Sequence, residues 1–135
     1  MIIVDTSIAI KWLRADEDGH EEALILYKNH IEKINEIIVP ELFYIEAANA
    51  LATNKVLSKD DISEGMAFLY EAQFRKHQIT HEAVVEAALL ANQYRTSVYD
   101  MLYAVIAKSK DALLVTADKK FARATNFFHV TLLTK

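Results

Sequence analysis

Short apolar runs separated by helical patterns constrain the fold of this chain more than any other feature. Residues 1–4, 37–39 and 113–116 are such runs, rich in isoleucine, leucine and valine, and residues 129–133 form a fourth. Strands that are buried on both faces of a parallel sheet have this continuous apolar character, and helices lie between them. The pattern therefore predicts an α/β fold with a small, mainly parallel sheet and a helical majority.

Residue types at the helix starts locate most of the helices. Ser58 and Asp61 have the spacing of an N-cap and its acidic partner, and they predict a helix that runs to about residue 77. Thr80 opens another helix, to about residue 94, and Pro40 precedes an apolar helix over residues 41–55. The other predicted helices cover residues 7–13, 20–33, 101–108 and 118–124.

Composition excludes several classes of protein. The 135 residues suffice for one domain, which we place at residues 1–135. The absence of cysteine excludes thiolate catalysis, and two glycines are too few for a P-loop or a dinucleotide fingerprint. No apolar stretch approaches the ~20 residues that cross a bilayer, and no signal peptide is recognisable. We therefore expect a cytoplasmic protein with no membrane partner.

Three aspartates stand where ligands collect in open parallel sheets, near the carboxyl ends of strands or at helix starts. Asp5 directly follows the first apolar run, Asp118 comes two residues after the third, and Asp100 begins the helix over residues 101–108. Each is also well placed to cap a helix, because a carboxylate accepts hydrogen bonds from first-turn N–H groups. Position alone leaves both interpretations open.

Glu46 is harder to explain as a surface residue. It lies in the apolar helix over residues 41–55, and no lysine or arginine is within one helical turn of it. A carboxylate on a mostly buried helix must be paired, protonated or bound to a cation. If all four acids meet at one sheet edge, they repel one another unless a cation is present.

A divalent cation such as Mg²⁺ suits an all-oxygen site of this kind. The matching reaction is phosphodiester hydrolysis by a metal-activated water. The formal net charge of −4 does not indicate a nucleic-acid partner, but committing four acids to a metal leaves a neutral remainder. Polar side chains close in sequence to the acids could orient waters or carboxylates; they are Ser7, Asn49 and Thr116.

Four short motifs, in order along the chain, resemble those of the PIN-domain nucleases. They are IVDTS at residues 3–7, PEL…E…NAL at 40–51, VYD…YA at 98–104 and LVTAD…F at 114–121. The closest likeness is to the VapC toxins of VapBC toxin–antitoxin pairs. Each motif alone is short, but their order, spacing and the total length make the combination specific, and the resemblance runs from residue 3 to the last strand.

This resemblance implies an α/β/α sandwich and an endoribonuclease that depends on Mg²⁺ or Mn²⁺ and cleaves single-stranded or structured RNA. The catalytic residues it implies by position are Asp5, Glu46, Asp100, Asp118 and Thr116, with the four acids as metal ligands. We expect the first three acids to hold one ion and the fourth to complete that site or to help a second. A homodimer and a cognate VapB-like antitoxin, whose peptide fills the active-site groove, are also implied.

The sequence predicts the residues that contact RNA less specifically than it predicts the acids. Cations that follow two of the acids could contact phosphates; they are Lys11, Arg14, Lys119, Lys120 and Arg123. Single-stranded bases could stack on an exposed aromatic ring such as that of Trp12. Alternatively, the cations lie on ordinary solvated helix faces, and Trp12 packs in the core or at a dimer interface.

Other functions fit the residues less well. An aspartyl-nucleophile phosphatase needs an aspartate two residues after Asp5, where this chain has Ser7. A receiver domain needs a phosphoacceptor aspartate after a middle strand, where Pro40 and Glu41 stand. Two alternatives stay open: a housekeeping RNA-processing PIN nuclease, and a non-catalytic dimeric interaction module in which helix caps and a dimer-facing Glu46 explain the acids.

Overall fold

The computed structural model describes residues 1–134, which form a five-stranded sheet with seven helices packed around it. The strands are β1 (Ile2–Val4), β2 (Ile37–Pro40), β3 (Arg75–His77), β4 (Leu113–Thr116) and β5 (Val130–Leu132). The helices are α1 (Thr6–Leu13), α2 (His20–Ile31), α3 (Glu41–Ala52), α4 (Lys59–Glu71), α5 (His81–Tyr94), α6 (Val98–Ser109) and α7 (Lys119–Thr125). Over this range no helix has both the length and the apolar character needed to span a bilayer.

The sheet is parallel throughout the described residues, in the order β3-β2-β1-β4-β5. Parallel neighbours need crossover connections, and the helices between consecutive strands supply them. Helices α1 and α6 pack on β1 and β4, while α3 packs on β2. Strands β1, β2 and most of β4 are buried, as their apolar character predicts. The predicted α/β/α fold with a small parallel sheet is confirmed.

The pairing of β1 with β4 creates the sheet edge that matters for function. Val4 pairs with Val115, so the next residues, Asp5 and Thr116, lie at neighbouring strand ends. Helix α1 begins immediately after Asp5, and α7 begins three residues after β4 ends. Two chain segments therefore turn from strand into helix side by side, which is the usual place for a ligand in an open parallel sheet.

The prediction of a single helix from residue 59 to about 77 is wrong in its last third. Helix α4 ends at Glu71, and β3 then forms one edge of the sheet. This strand is short and charged, as exposed edge strands commonly are, so it carries no apolar pattern that reveals it in the sequence. Two of its side chains form ion pairs with Glu36 and Glu41. The other predicted helices and strands are confirmed to within a few residues.

The predicted helix caps are present. The Ser58 hydroxyl accepts a hydrogen bond from the Asp61 N–H (3.1 Å), and the Asp61 carboxylate accepts one from the Ser58 N–H (2.9 Å). Thr80 caps α5 by accepting from the Ala83 N–H at 3.1 Å. These reciprocal bonds satisfy backbone donors that a helix cannot satisfy internally.

Trp12 belongs to the core, so the expectation that it stacks on RNA bases is wrong. Its side chain is only 4% exposed, and its indole N–H donates to the Ala23 carbonyl at 2.7 Å. The rings of Tyr27, Phe43 and Phe74 surround it at centroid distances of 5.3–6.4 Å. Burial of this ring cluster and of the indole donor fixes α1 against α2 and α3.

His30 joins three parts of the fold through both ring nitrogens. Its Nε2 donates to the Ala72 carbonyl, just after α4, at 2.9 Å. Its Nδ1 accepts from the Ile37 N–H, at the start of β2, at 3.0 Å. Because a carbonyl can only accept and an N–H can only donate, these partners select one neutral tautomer of the imidazole.

Candidate active site

Asp5 is held at the carboxyl end of β1 by a dense set of donors. It is the N-cap of α1, accepting from the Ser7 N–H at 3.1 Å and from the Ser7 hydroxyl. The buried Thr116 hydroxyl donates to its other oxygen at 2.5 Å. Burial nevertheless dominates: with only 8% of the residue exposed, desolvation raises the Asp5 pKa from 3.8 to about 6 despite these bonds.

The two hydroxyl groups that contact Asp5 also fasten β4 to α1. Ser7 Oγ accepts from the Ala117 N–H at 2.9 Å, and Thr116 Oγ1 accepts from the Asp118 N–H at 3.1 Å. Each hydroxyl thus donates to Asp5 while accepting from the chain beyond β4. The predicted association of Ser7 and Thr116 with the acids therefore has a definite geometry, in which both orient the Asp5 carboxylate.

Glu46 projects from α3 towards α6 and is half-buried. The Tyr103 hydroxyl donates to its Oε1 at 2.6 Å, and the Thr6 hydroxyl donates to the same oxygen at 3.3 Å. Burial raises the pKa of Glu46, and the Asp100 charge raises it further. Tyr103 is itself almost fully buried, and desolvation together with the adjacent carboxylate raises the pKa of its phenol.

Neither Tyr103 nor Thr6 stands out in the sequence as a partner for Glu46. Tyr103 lies four residues after Tyr99, a spacing that indicates packing, and Thr6 adjoins an aspartate that itself explains the helix start. Only the packing of α6 against β1 and of α1 against α3 brings these hydroxyls to the carboxylate. The partner that Glu46 requires is therefore a pair of hydroxyls from distant segments of the chain.

Asp100 links the other acids electrostatically. It is the third residue of α6, which Ser97 caps by accepting from the Asp100 N–H at 3.1 Å. Burial raises the pKa of Asp100, and the charge of Asp118 adds to the effect. Asp100 in turn raises the pKa values of Asp5 and Glu46. Asp100 therefore interacts electrostatically with each of the other three acids.

Asp118 caps α7, as the capping interpretation predicts for it and for Asp5. Its carboxylate accepts from the Phe121 N–H at 3.0 Å. It also lines a cavity together with Asp100. Capping and ligation are compatible, because a carboxylate has about four acceptor positions and the helix uses one.

The carboxylate oxygens of these acids suit a divalent cation, although the structure, over the residues it describes, does not define a set of ligands for one. Within residues 1–134 no group of three or more histidine, aspartate or glutamate side chains is arranged to hold a metal ion. Mg²⁺ does not require such a group, since it is commonly held by one or two carboxylates with waters and substrate phosphates. The Asp100 charge raises the pKa values of Asp5 and Glu46, and no lysine, arginine or histidine is among the causes of these shifts. Acids in such surroundings suit a bound cation.

The other polar residues that the sequence predicts to assist the acids or contact RNA lie in different environments. Asn49 lines a groove with Glu46 and Tyr99 but makes no hydrogen bond to a carboxylate in the described part of the chain. Lys11 is engaged by the Asp18 carbonyl and by Glu17 at 3.8 Å. Arg14 pairs with Asp16 at 3.2 Å. The cations of α7 are exposed; they are Lys119, Lys120 and Arg123.

Comparisons with known proteins agree with the fold and the motifs. The model of the PIN domain family matches residues 2–126. A search of curated proteins finds no match to the chain. Among solved structures, VapC20 from Mycobacterium tuberculosis, a sarcin–ricin loop cleaving toxin, superimposes with a TM-score of 0.71 at 16% identity, over 91% of this chain and 95% of that one.

Two toxin–antitoxin assemblies are similarly related in fold. VapBC2 from Rickettsia felis, bound to a DNA fragment from its promoter, gives a TM-score of 0.70 at 20% identity, covering 99% of this chain and 100% of that one. A toxin–antitoxin complex from Klebsiella pneumoniae gives 0.70 at 17% identity, covering 100% and 99%. Identities this low establish the shared architecture and no more.

Proposed function

The chain belongs to the PIN domain family, and from this premise we propose that it is a metal-dependent endoribonuclease that hydrolyses phosphodiester bonds. One observation carries the proposal: burial raises the pKa values of Asp5, Glu46 and Asp100, and the charge of Asp100 contributes to the raised values of the other two. Burying and crowding carboxylates in this way costs stability, and a cation that binds phosphate would recover it.

The protein's own residues have distinct tasks in this proposal. Asp5, Glu46 and Asp100 would hold Mg²⁺ or Mn²⁺, and Asp118 would complete that site or a second one. When bound, the cation would activate a water and stabilise the leaving oxygen. Thr116 would act as a positioning residue, because its hydroxyl donates to Asp5 and is fully buried away from substrate.

Tyr103 would serve Glu46 as Thr116 serves Asp5. Its phenol donates to one carboxylate oxygen and leaves the other free to face the groove. Because a hydrogen bond to a charged acceptor is strong and directional, it fixes the rotamer of a glutamate that would otherwise be mobile. Fixed carboxylates lower the cost of assembling a metal and substrate complex.

The test is an RNA cleavage assay with and without EDTA on the parent chain and Asp100→Asn. The substitution removes one charge and keeps the backbone N–H that Ser97 caps, so the fold should persist. Asp60→Asn, on the exposed first turn of α4, is the matched control. We expect cleavage by the parent and control, none with EDTA and none by Asp100→Asn; full activity of Asp100→Asn would overturn the assignment.

We propose further that the protein is a cytoplasmic toxin of a toxin–antitoxin pair and a homodimer, and that residues 1–135 form one domain. The family and the architecture shared with toxin–antitoxin complexes support the first idea. Val85 and Leu89 are exposed apolar side chains on α5, and they support the idea that a second copy of the chain covers this helix in a homodimer. Co-purification with the product of an antitoxin-like reading frame just upstream, and sedimentation analysis of the chain alone, test the two points.

A non-catalytic interaction module remains the second candidate because Asp5 and Asp118 do cap helices. A thermal-shift titration with Mg²⁺ and Mn²⁺ separates the two functions. A nuclease should be stabilised by the metal, and Asp5→Asn should abolish the response. An interaction module should show no response in either protein.

A further inference from the structure

A cavity of about 150 Å³ beside Asp100 and Asp118 carries positive charge on another part of its wall. Arg95, in the loop between α5 and α6, and Lys120, in the first turn of α7, both line it. This space is large enough for several water molecules or for a phosphate group. Two acids and two cations therefore share one small, open space.

The two cations have no side-chain partner within residues 1–134. Neither the Arg95 nor the Lys120 side chain forms a hydrogen bond, an ion pair or a ring contact there, although two carboxylates line the same cavity. Both residues are exposed. Their charges are thus held near the acids without being neutralised by them.

Arg95 ends α5 in a left-handed backbone conformation. Its φ of 59° lies in the left-handed region, where its N–H closes α5 on the Ala91 carbonyl. Glycine or asparagine usually occupies this position, and a longer side chain costs about 1 kcal/mol there. The same backbone conformation occurs at Lys33, Gln73, Asp111 and Asn126, so at Arg95 it fixes where the side chain starts and is not by itself a sign of function.

We propose that Arg95 and Lys120 bind a phosphate of the polynucleotide strand next to the phosphodiester on which the acids act. This inference rests on the proposed nuclease function. A strand that places one phosphate over the acids carries further phosphates on both sides, and the cationic wall is contiguous with the acids. The guanidinium offers a planar fork for phosphate oxygens, and the ammonium adds a point charge.

The experiment measures binding of a short, fluorescently labelled, single-stranded oligoribonucleotide by anisotropy, in an Asp5→Asn background that blocks cleavage. Arg95→Gln and Lys120→Gln are compared with Lys108→Gln, which removes the same charge at the opposite end of α6. We expect each cavity variant to weaken binding about tenfold and Lys108→Gln to have no comparable effect. Each cavity variant should also reduce the slope of log affinity against log salt by about 0.7.

The outcomes separate this proposal from the proposed function. If the parent chain cleaves RNA but the cavity variants bind like Lys108→Gln, the phosphate subsite is refuted and the nuclease survives. If the parent neither cleaves nor binds RNA, both fail. If a poly-glutamate peptide binds as tightly and is equally sensitive to Arg95→Gln, the surface fits an acidic protein partner, and the phosphate assignment is overturned.

Discussion

Replacing Asp5 by asparagine should remove a large part of the pH dependence of folding stability. The folded-state pKa of Asp5 is raised from 3.8 to about 6, so between these values the folded state binds more protons than the unfolded state. For a raised carboxyl pKa, stability is therefore highest below pH 4 and falls as the pH rises to 6. The difference corresponds to about 3 kcal/mol, which is fully lost at neutral pH in the absence of metal.

The measurement is urea unfolding in EDTA at a series of pH values from 4 to 7, for the parent, Asp5→Asn and the exposed control Glu64→Gln. His77 and His129 have lowered pKa values because of burial, so they make stability rise with pH in an overlapping window. Only the difference between parent and Asp5→Asn isolates the aspartate. The asparagine amide introduces donors of its own, so the slope of that difference, not its absolute value, is diagnostic.

The expected difference changes by about 2 kcal/mol between pH 4 and 7, because part of the effect lies below pH 4, and adding Mg²⁺ should flatten the parent curve while leaving Asp5→Asn unchanged. Parallel curves for parent and Asp5→Asn in EDTA would refute the reasoning, because they would mean that Asp5 ionises in the folded state as freely as in the unfolded chain. If Mg²⁺ does not change the pH dependence of stability of the parent, the result would count against the metal site but not against the effect of burial on the Asp5 pKa.

Further substitutions test the positioning contacts and the fold. Tyr103→Phe should lower the free energy of unfolding by about 1.5 kcal/mol and impair cleavage, because it removes a buried donor to Glu46. The exposed control Tyr70→Phe should change neither stability in urea nor the cleavage rate. Equal behaviour of the two variants would contradict the role of the Tyr103 phenol. His30→Leu should cost about 2–4 kcal/mol, because it leaves a buried N–H and a carbonyl unpaired, while activity per folded molecule persists. His30→Gln should recover part of that loss in urea melts.

Much of the fold could be predicted because the central strands are buried on both faces. A strand in that position can only be apolar, so β1, β2 and β4 are visible as uninterrupted runs. The opposite holds for β3, whose sequence Arg75–His77 follows the requirements of a sheet edge. Charged side chains there prevent unwanted pairing, and in doing so they make the segment resemble the end of a helix.

Some residues of the candidate site could likewise be predicted from the sequence and others could not. Acids at strand ends could be located because the chain must turn there, and the turn itself favours aspartate at Asp5 and Asp118. Their partners could not be located in this way. Tyr103 is far from Glu46 in sequence, and only α6 packing on the sheet makes it a donor. Packing determines such contacts, and no local pattern records them.

The same distinction explains why the sequence predicts an RNA contact for Lys120 and not for Arg95. Lys120 follows an acid at the start of a helix, whereas Arg95 precedes one, at the end of a different helix. The loop between α5 and α6 brings it to the cavity wall only because its left-handed backbone ends α5 there. The guanidinium and the half-buried acids Asp100 and Asp118 come together through the fold, and no local sequence pattern records it.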